Sequence, residues 1–299
     1  MYRENKPTLI GPYDHPDIYP GPRPSSSFLY HNGKAHRIEE KESVPVEKQI
    51  VHYARGEDVS GSLAFASSEQ YTVEELIRKE GLSPIEDRIP LLAYGSNVCL
   101  AQLRYKFSLN PDLNDFILYY RAEITDTDVV AGSFLAPYGA LPAVIAPVKG
   151  ATTEVWVTFV DREQLELLNR TEGSYVLKEH QNGKLTLKTG EHFERVYAYY
   201  FPHAYLRQGS FVRFMDIPGE SKLPSMWQAD LLNELKSMIG YGGHREEFIH
   251  ELRWNGSLRK KMTMMLTDLD ETFDHPDWIE PNGFHTLKNM TRSQRKRRP

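Results

Sequence analysis

Apolar and polar positions divide the 299-residue chain into three stretches. Residues 1–70 show no sustained period. Pro7, Pro12, Pro16, Pro20, Pro22 and Pro24 run into Ser25-Ser26-Ser27, the pattern of an irregular arm. Phe28-Leu29-Tyr30 and Ala35-His36-Arg37-Ile38 flank His31-Asn32-Gly33-Lys34, and because Asn-Gly tolerates positive φ this predicts a hairpin. Thr72 and Glu75 form a capping-box pair ahead of Leu76 and Ile77, which predicts a short helix to about Glu80, ended by Gly81.

The pattern sharpens from Ile89 to about Gly240. Pro90-Leu91-Leu92-Ala93-Tyr94 is a short apolar run bounded by glycine, as in a buried strand. Asn97 is placed to cap a helix on which Leu100, Leu103 and Phe107 recur at helical spacing. Strands are predicted at Phe116–Ile124, Val129–Leu135, Ala143–Ile145, Glu154–Val160 and Arg195–Phe201. Asp161 with Gln164 opens a helix carrying Leu165 and Leu168. Tyr175–His180 and Lys184–Lys188 flank Asn182-Gly183, a second predicted hairpin. Strands interrupted by two helices predict an α+β fold with a mostly antiparallel barrel or sheet.

In the third stretch, Trp227, Leu231, Leu235, Met238 and Ile239 make one apolar stripe that Gly240 terminates. Residues 244–269 read as helical with a break at Asn255-Gly256, and Trp254, Met262, Met264, Met265 and Leu266 are expected to be buried. Gly240-Tyr241-Gly242-Gly243 reads as a flexible joint. The organisation this predicts is an N-terminal arm with a short helix at 1–88, a central domain at 89–240, and a C-terminal helical extension with a basic tail at 241–299.

Composition narrows the functional classes. The single cysteine, Cys99, excludes an internal disulfide framework, and the polar, proline-rich start carries no secretory apolar core, which together predict a cytoplasmic protein. No apolar run is long enough to span a bilayer as a helix. Net charge is −5, but residues 291–299 hold five basic side chains (Arg292, Arg295, Lys296, Arg297 and Arg298) and no acid, so the rest of the chain carries −10. Such a body is a poor nucleic-acid binder. The tail reads as a solvated end, with an acidic partner for 292–298 as the alternative.

Two segments carry candidate chemistry. Tyr94-Gly95-Ser96-Asn97 lies at a strand-to-helix turn, where glycine permits close backbone approach and a helix start offers free N–H groups to a negative oxygen. Leu168-Asn169-Arg170-Thr171-Glu172-Gly173-Ser174-Tyr175 ends the second helix, where a glutamate beside glycine and an aromatic is placed to be desolvated and to act as a general base. Each alone has an ordinary structural explanation, an N-cap and a helix-end carboxylate.

Together they resemble the γ-glutamylcyclotransferase-like family. Tyr94-Gly95-Ser96-Asn97 is similar to that family's YGSN signature, Ala131-Gly132-Ser133-Phe134 to its glycine-containing strand, and Leu141-Pro142-Ala143-Val144-Ile145-Ala146-Pro147 to its P-A-x-x-x-P strand. Glu154–Phe159 resembles the next strand, Leu168–Gly173 the L-D-x-x-E-G segment, and Pro224-Ser225-Met226-Trp227 the late helix start. The resemblance covers about residues 89–240, and it departs from the pattern at Val98, Asn169 and Tyr175. It implies a mixed or antiparallel β-barrel with flanking helices, without metal or cofactor. It implies intramolecular acyl transfer: the α-amine of a γ-glutamyl group attacks its own side-chain carbonyl, giving 5-oxoproline and releasing an amine or amino acid. Glu172 would move the proton, the backbone of Gly95, Ser96 and Asn97 would hold a substrate carboxylate or the oxyanion, and Tyr94 and Tyr175 would line the pocket. A non-catalytic binding module and an amide-cleaving enzyme on another acyl group are the competing readings.

Other segments carry less. Cys99 reads as a small core residue, and Ser96 lacks the glycines of a nucleophile elbow. Tyr13-Asp14-His15-Pro16-Asp17 recurs as Phe273-Asp274-His275-Pro276-Asp277, either a split metal site or, as favoured here, two Asp-capped turns.

Overall fold

The chain is described by a computed structural model over residues 10–53 and 69–294. Two long strands organise it. Four of the predicted strands are two continuous ones, β6 (Ile117–Ala131) and β7 (Ala143–Val160), paired antiparallel along nearly their whole length. Their alternation is period two: Leu118, Tyr120 and Ala122 of β6 join one apolar cluster, Ile117 and Tyr119 the opposite one. The register shifts between Thr125 and Thr127, where Asp126 has a φ of 55°.

The other strands assemble on this pair. β1 (Phe28–His31) and β2 (Lys34–Arg37) form the predicted hairpin, with Asn32 and Gly33 at φ of 52° and 69°, and β1 pairs with β6. A separate small hairpin joins β3 (Ile50–Tyr53) to β4 (Glu69–Thr72). β5 (Ile89–Ala93) pairs antiparallel with β7, and β8 (Val176–His180), β9 (Leu185–Leu187) and β10 (Glu191–Phe193) follow. β11 (Val196–Tyr200) runs parallel to β5 and antiparallel to β8, and the short strand Trp278–Ile279 pairs with β8 beyond it. The main sheet thus takes strands from the arm, the centre and the C-terminal region.

Two expectations are corrected. The pairing runs from Ser225–Met226 through β6, β7, β5, β11 and β8 to Trp278–Ile279, an open mixed sheet and no closed barrel among the described residues. Its two outermost strands, Ser225–Met226 and Trp278–Ile279, do not pair with each other. Asn182-Gly183 does not link a hairpin either: β8 goes to β11 while β9 goes to β6, and the Asn182 amide is drawn instead to Asp277 at 2.5 Å.

Helices cover both faces. Thr72 caps α1 (Val73–Lys79) and Asp161 caps α3 (Arg162–Thr171), each through the capping box its sequence predicts. Leu103 and Phe107 of α2 (Leu100–Ser108) and Leu165 and Leu168 of α3 bury against Leu91, Ala93 and Trp156 on one face of the sheet. Burying one such aliphatic side chain contributes about 1.5–3 kcal/mol. α1, α4 (Gln228–Met238), α5 (Arg245–Trp254) and α6 (Gly256–Thr267) cover the other face, with the predicted break at Asn255. Leu231, Leu235, Met262 and Leu266 are buried, but Trp254 is 72 % exposed, Met264 64 %, and Trp227 and Met238 nearly half. Helical spacing put them on the apolar stripe, yet these positions overhang its edges.

The tail begins as structure. Arg292–Gln294 pairs with β10, and the Arg292 guanidinium lies 2.7 Å from Glu47 and 2.5 Å from Glu191. The remaining basic residues, 295–298, lie outside the described residues. No helix among the described residues is long and apolar enough to cross a membrane.

Candidate active site

The C-terminal end of β5 delivers Tyr94 and the turn that follows it. A 3-10 turn, Ser96–Val98, separates this segment from α2, whose first cap is Cys99. Asn97 is therefore not the predicted cap. Its side chain is committed elsewhere: Nδ2 donates to Glu172 Oε1 at 2.9 Å, and Oδ1 accepts from Lys106 Nζ at 2.7 Å. The helix-start argument for anion binding at Asn97 falls with the cap, since α2 begins three residues further on.

α3 delivers the glutamate. Leu165 and Leu168 fix the helix against the sheet, Glu172 is its C-terminal cap residue, and Gly173 at a φ of 53° turns the chain away. The Glu172 carboxylate is 13 % exposed, and its Oε1 also accepts from Lys106 Nζ at 2.6 Å. Lys106 is 5 % exposed at the side chain, a cation buried on the strength of its two oxygen partners. Glu172, Asn97 and Lys106 form a closed triangle in which both recorded bonds to the carboxylate fall on Oε1.

This triangle borders a cavity of about 260 Å³. Tyr94, Gly95, Ser96, Asn97, Glu172 and Tyr175, which lie far apart in sequence, all line it. Its remaining wall is largely aromatic. Tyr175 donates to the Ala143 carbonyl at 2.6 Å, Tyr94 to the Tyr199 carbonyl at 2.5 Å, and Tyr199 to Asn169 Oδ1 at 2.8 Å. Asn169 thus serves the wall through a tyrosine. Burial pushes the Tyr94, Tyr138 and Tyr175 phenols well above their ordinary range, so these side chains stay neutral.

Sequence reasoning missed four contributors. Lys106 and Gln102 stand four apart on α2 beside its apolar stripe and both face the cavity, a spacing that was readable. Tyr19 and Arg23 come from the proline-rich arm, where no periodic signal marks them. The Tyr19 hydroxyl accepts from the Ala143 N–H at 2.8 Å and presses on Gly95, where a Cβ would lie 2.8 Å from it. Glycine at 95 is therefore required by the approach of the arm's own tyrosine. Burial pushes the Tyr19 phenol up to about 12, opposed by the Ala143 and Ser96 backbones and the Arg23 charge. Arg23 is 1 % exposed, donates to the Tyr94 carbonyl at 3.0 Å and lies over Trp156. It braces the turn from behind.

Cys99 is buried and unbonded, and burial raises its thiol, in keeping with a core residue. The acids of the two Asp-His-Pro-Asp segments find different partners: Asp14 and Asp17 face Arg253 and Arg245, whereas Asp277 faces Lys184. Groups of three or more metal-ligating side chains do not occur among the described residues.

No family model and no curated protein matches the chain. Among solved structures, it is similar to a human protein described as uncharacterised, at 18 % identity over 65 % of this chain and 95 % of that one, with a TM-score of 0.31. It is also similar to a γ-glutamyl cyclotransferase, at 17 % identity over 64 % and 94 %, with a TM-score of 0.29. At these scores the likeness bears no weight on activity.

Proposed function

We propose that the chain has a γ-glutamylcyclotransferase-like fold and catalyses the intramolecular cyclisation of a γ-glutamyl group to 5-oxoproline, releasing an amine. The observation that carries this reading is the 2.9 Å bond between the Asn97 side chain and the Glu172 carboxylate, which holds the glutamate against the Tyr94–Asn97 turn at the edge of a substrate-sized cavity.

The chemistry asks little of the protein. The substrate supplies the nucleophile, and closing a five-membered ring brings an effective molarity on the order of 10⁵ M or more. Glu172 takes a proton from the α-ammonium, the freed nitrogen attacks the γ-carbonyl carbon, and the new C–N bond forms. Glu172 then gives that proton to the departing nitrogen as the old C–N bond breaks, and the second proton of the ring nitrogen passes to the released amine, which leaves as its ammonium. Lys106 balances the carboxylate charge, and the turn amides receive negative oxygen. Glu172→Gln tests the assignment: release of 5-oxoproline from γ-glutamyl compounds is expected to fall by roughly 10²–10⁴-fold with the fold intact. A folded variant with wild-type rate overturns it.

One observation favours a second reading, a binding module. The Tyr19 hydroxyl occupies part of the turn that would receive a substrate oxygen. A panel of γ-glutamyl compounds that bind without turnover would select it.

A further inference from the structure

The charge inventory of the cavity restricts what the leaving group can be. Among the described residues, its charged lining side chains are Lys106 and Glu172, and these neutralise each other at 2.6 Å. A γ-glutamyl group brings an ammonium and a carboxylate. Under the proposed reading its carboxylate goes to the Tyr94–Asn97 turn, behind which the Arg23 guanidinium donates to the Tyr94 carbonyl.

A leaving group with its own carboxylate would need a second such place. The wall offers few donors for it. The hydroxyls of Tyr94, Tyr175 and Tyr199 are spent on Tyr199, Ala143 and Asn169, which leaves neutral hydroxyls such as those of Tyr19, Tyr138 and Ser174 and no second cation to match a second carboxylate. The rest is apolar: Phe134, Leu135, Pro137 and Pro142. A desolvated carboxylate left unpaired is strongly disfavoured, whereas an apolar amine gains by burial.

We infer that the substrate is a γ-glutamyl amide of an uncharged, apolar or aromatic amine, and that a free carboxylate on the leaving group, as in amino acids and peptides, is selected against. This rests on the proposed cyclisation for the word substrate, and on the cavity alone for the preference.

The test compares γ-glutamyl-phenethylamine with γ-glutamyl-phenylalanine, which differ only in the carboxylate of the leaving group, on the full-length protein. 5-Oxoproline release is measured, with calorimetric binding of both compounds. Turnover of the amine at least about tenfold more efficient than that of the amino acid, in kcat/KM, is the expected result. Equal turnover, or preference for phenylalanine, overturns the inference and leaves cyclisation standing. No turnover with at least about tenfold tighter binding of the amine supports the inference and overturns cyclisation. Absence of turnover with equal binding, or with no binding, overturns both.

Discussion

Lys106 Nζ lies 2.6 Å from Glu172 Oε1, and both groups are shielded from solvent. A single partner deletion therefore strands a charge. Lys106→Met is expected to destabilise the fold by about 3 kcal/mol, and the double variant Lys106→Met, Glu172→Gln to recover much of that loss, because it removes the orphaned carboxylate. Denaturant midpoints of the two variants and the wild type measure this; equal losses in single and double variants would show the pair to be energetically idle.

Tyr19 reaches the same cavity from the arm. Tyr19→Phe keeps the ring and removes the acceptor for the Ala143 N–H, at a cost of about 1–2 kcal/mol. Under the proposed function its effect on KM is expected to exceed that on kcat, since the hydroxyl borders the substrate oxygen site and is not among the recorded partners of the Glu172 carboxylate. A change in kcat alone would remove Tyr19 from the binding surface.

Three histidines set the acid limb of stability. Burial lowers His36, His180 and His275 from about 6.5 to about 4 in the folded chain. Between those values the unfolded chain binds protons that the folded chain refuses, so their contribution is complete above about pH 6.5 and is lost as pH falls toward 4. Each contributes a slope of about 1 kcal/mol per pH unit in that window. Unfolding free energies from pH 7 to 4.5 should show it, and His180→Gln should flatten it; an unchanged slope would contradict the assignment.

At the other end of the chain, Arg292 joins Glu47 and Glu191. Burial holds the Glu191 carboxyl above its usual range even with the arginine present. Arg292→Met is expected to cost about 3 kcal/mol near neutral pH and less at pH 5, where Glu191 can take up a proton. A loss that grows on acidification would argue for a packing role of the arginine stem.

The local code was the most legible. Both capping boxes, the Asn32-Gly33 hairpin and the helix break at Asn255 follow from residues that interact with their near neighbours. What needs a distant partner was hidden. β6 and β7 each read as two strands because polar residues interrupt their apolar runs, although several of them, Thr127, Asp128 and Thr153, are buried in the fold. Asn97 has the ordinary chemistry of a cap, and only the meeting with Lys106 and Glu172 diverts its amide. That Glu172, the signature turn and Tyr175 share one cavity follows the order of motifs, whereas Tyr19 lies 78 residues before Asn97 and carries no local mark.

The pairing of β1 with β6 has a practical consequence for anyone dissecting the chain. A fragment cut at residues 89 and 240 would strip β1 from Ile117–Tyr119 and Trp278–Ile279 from β8, baring two ribbons of unpaired amides. Such bare edges recruit one another, so the excised centre should precipitate or pair with itself.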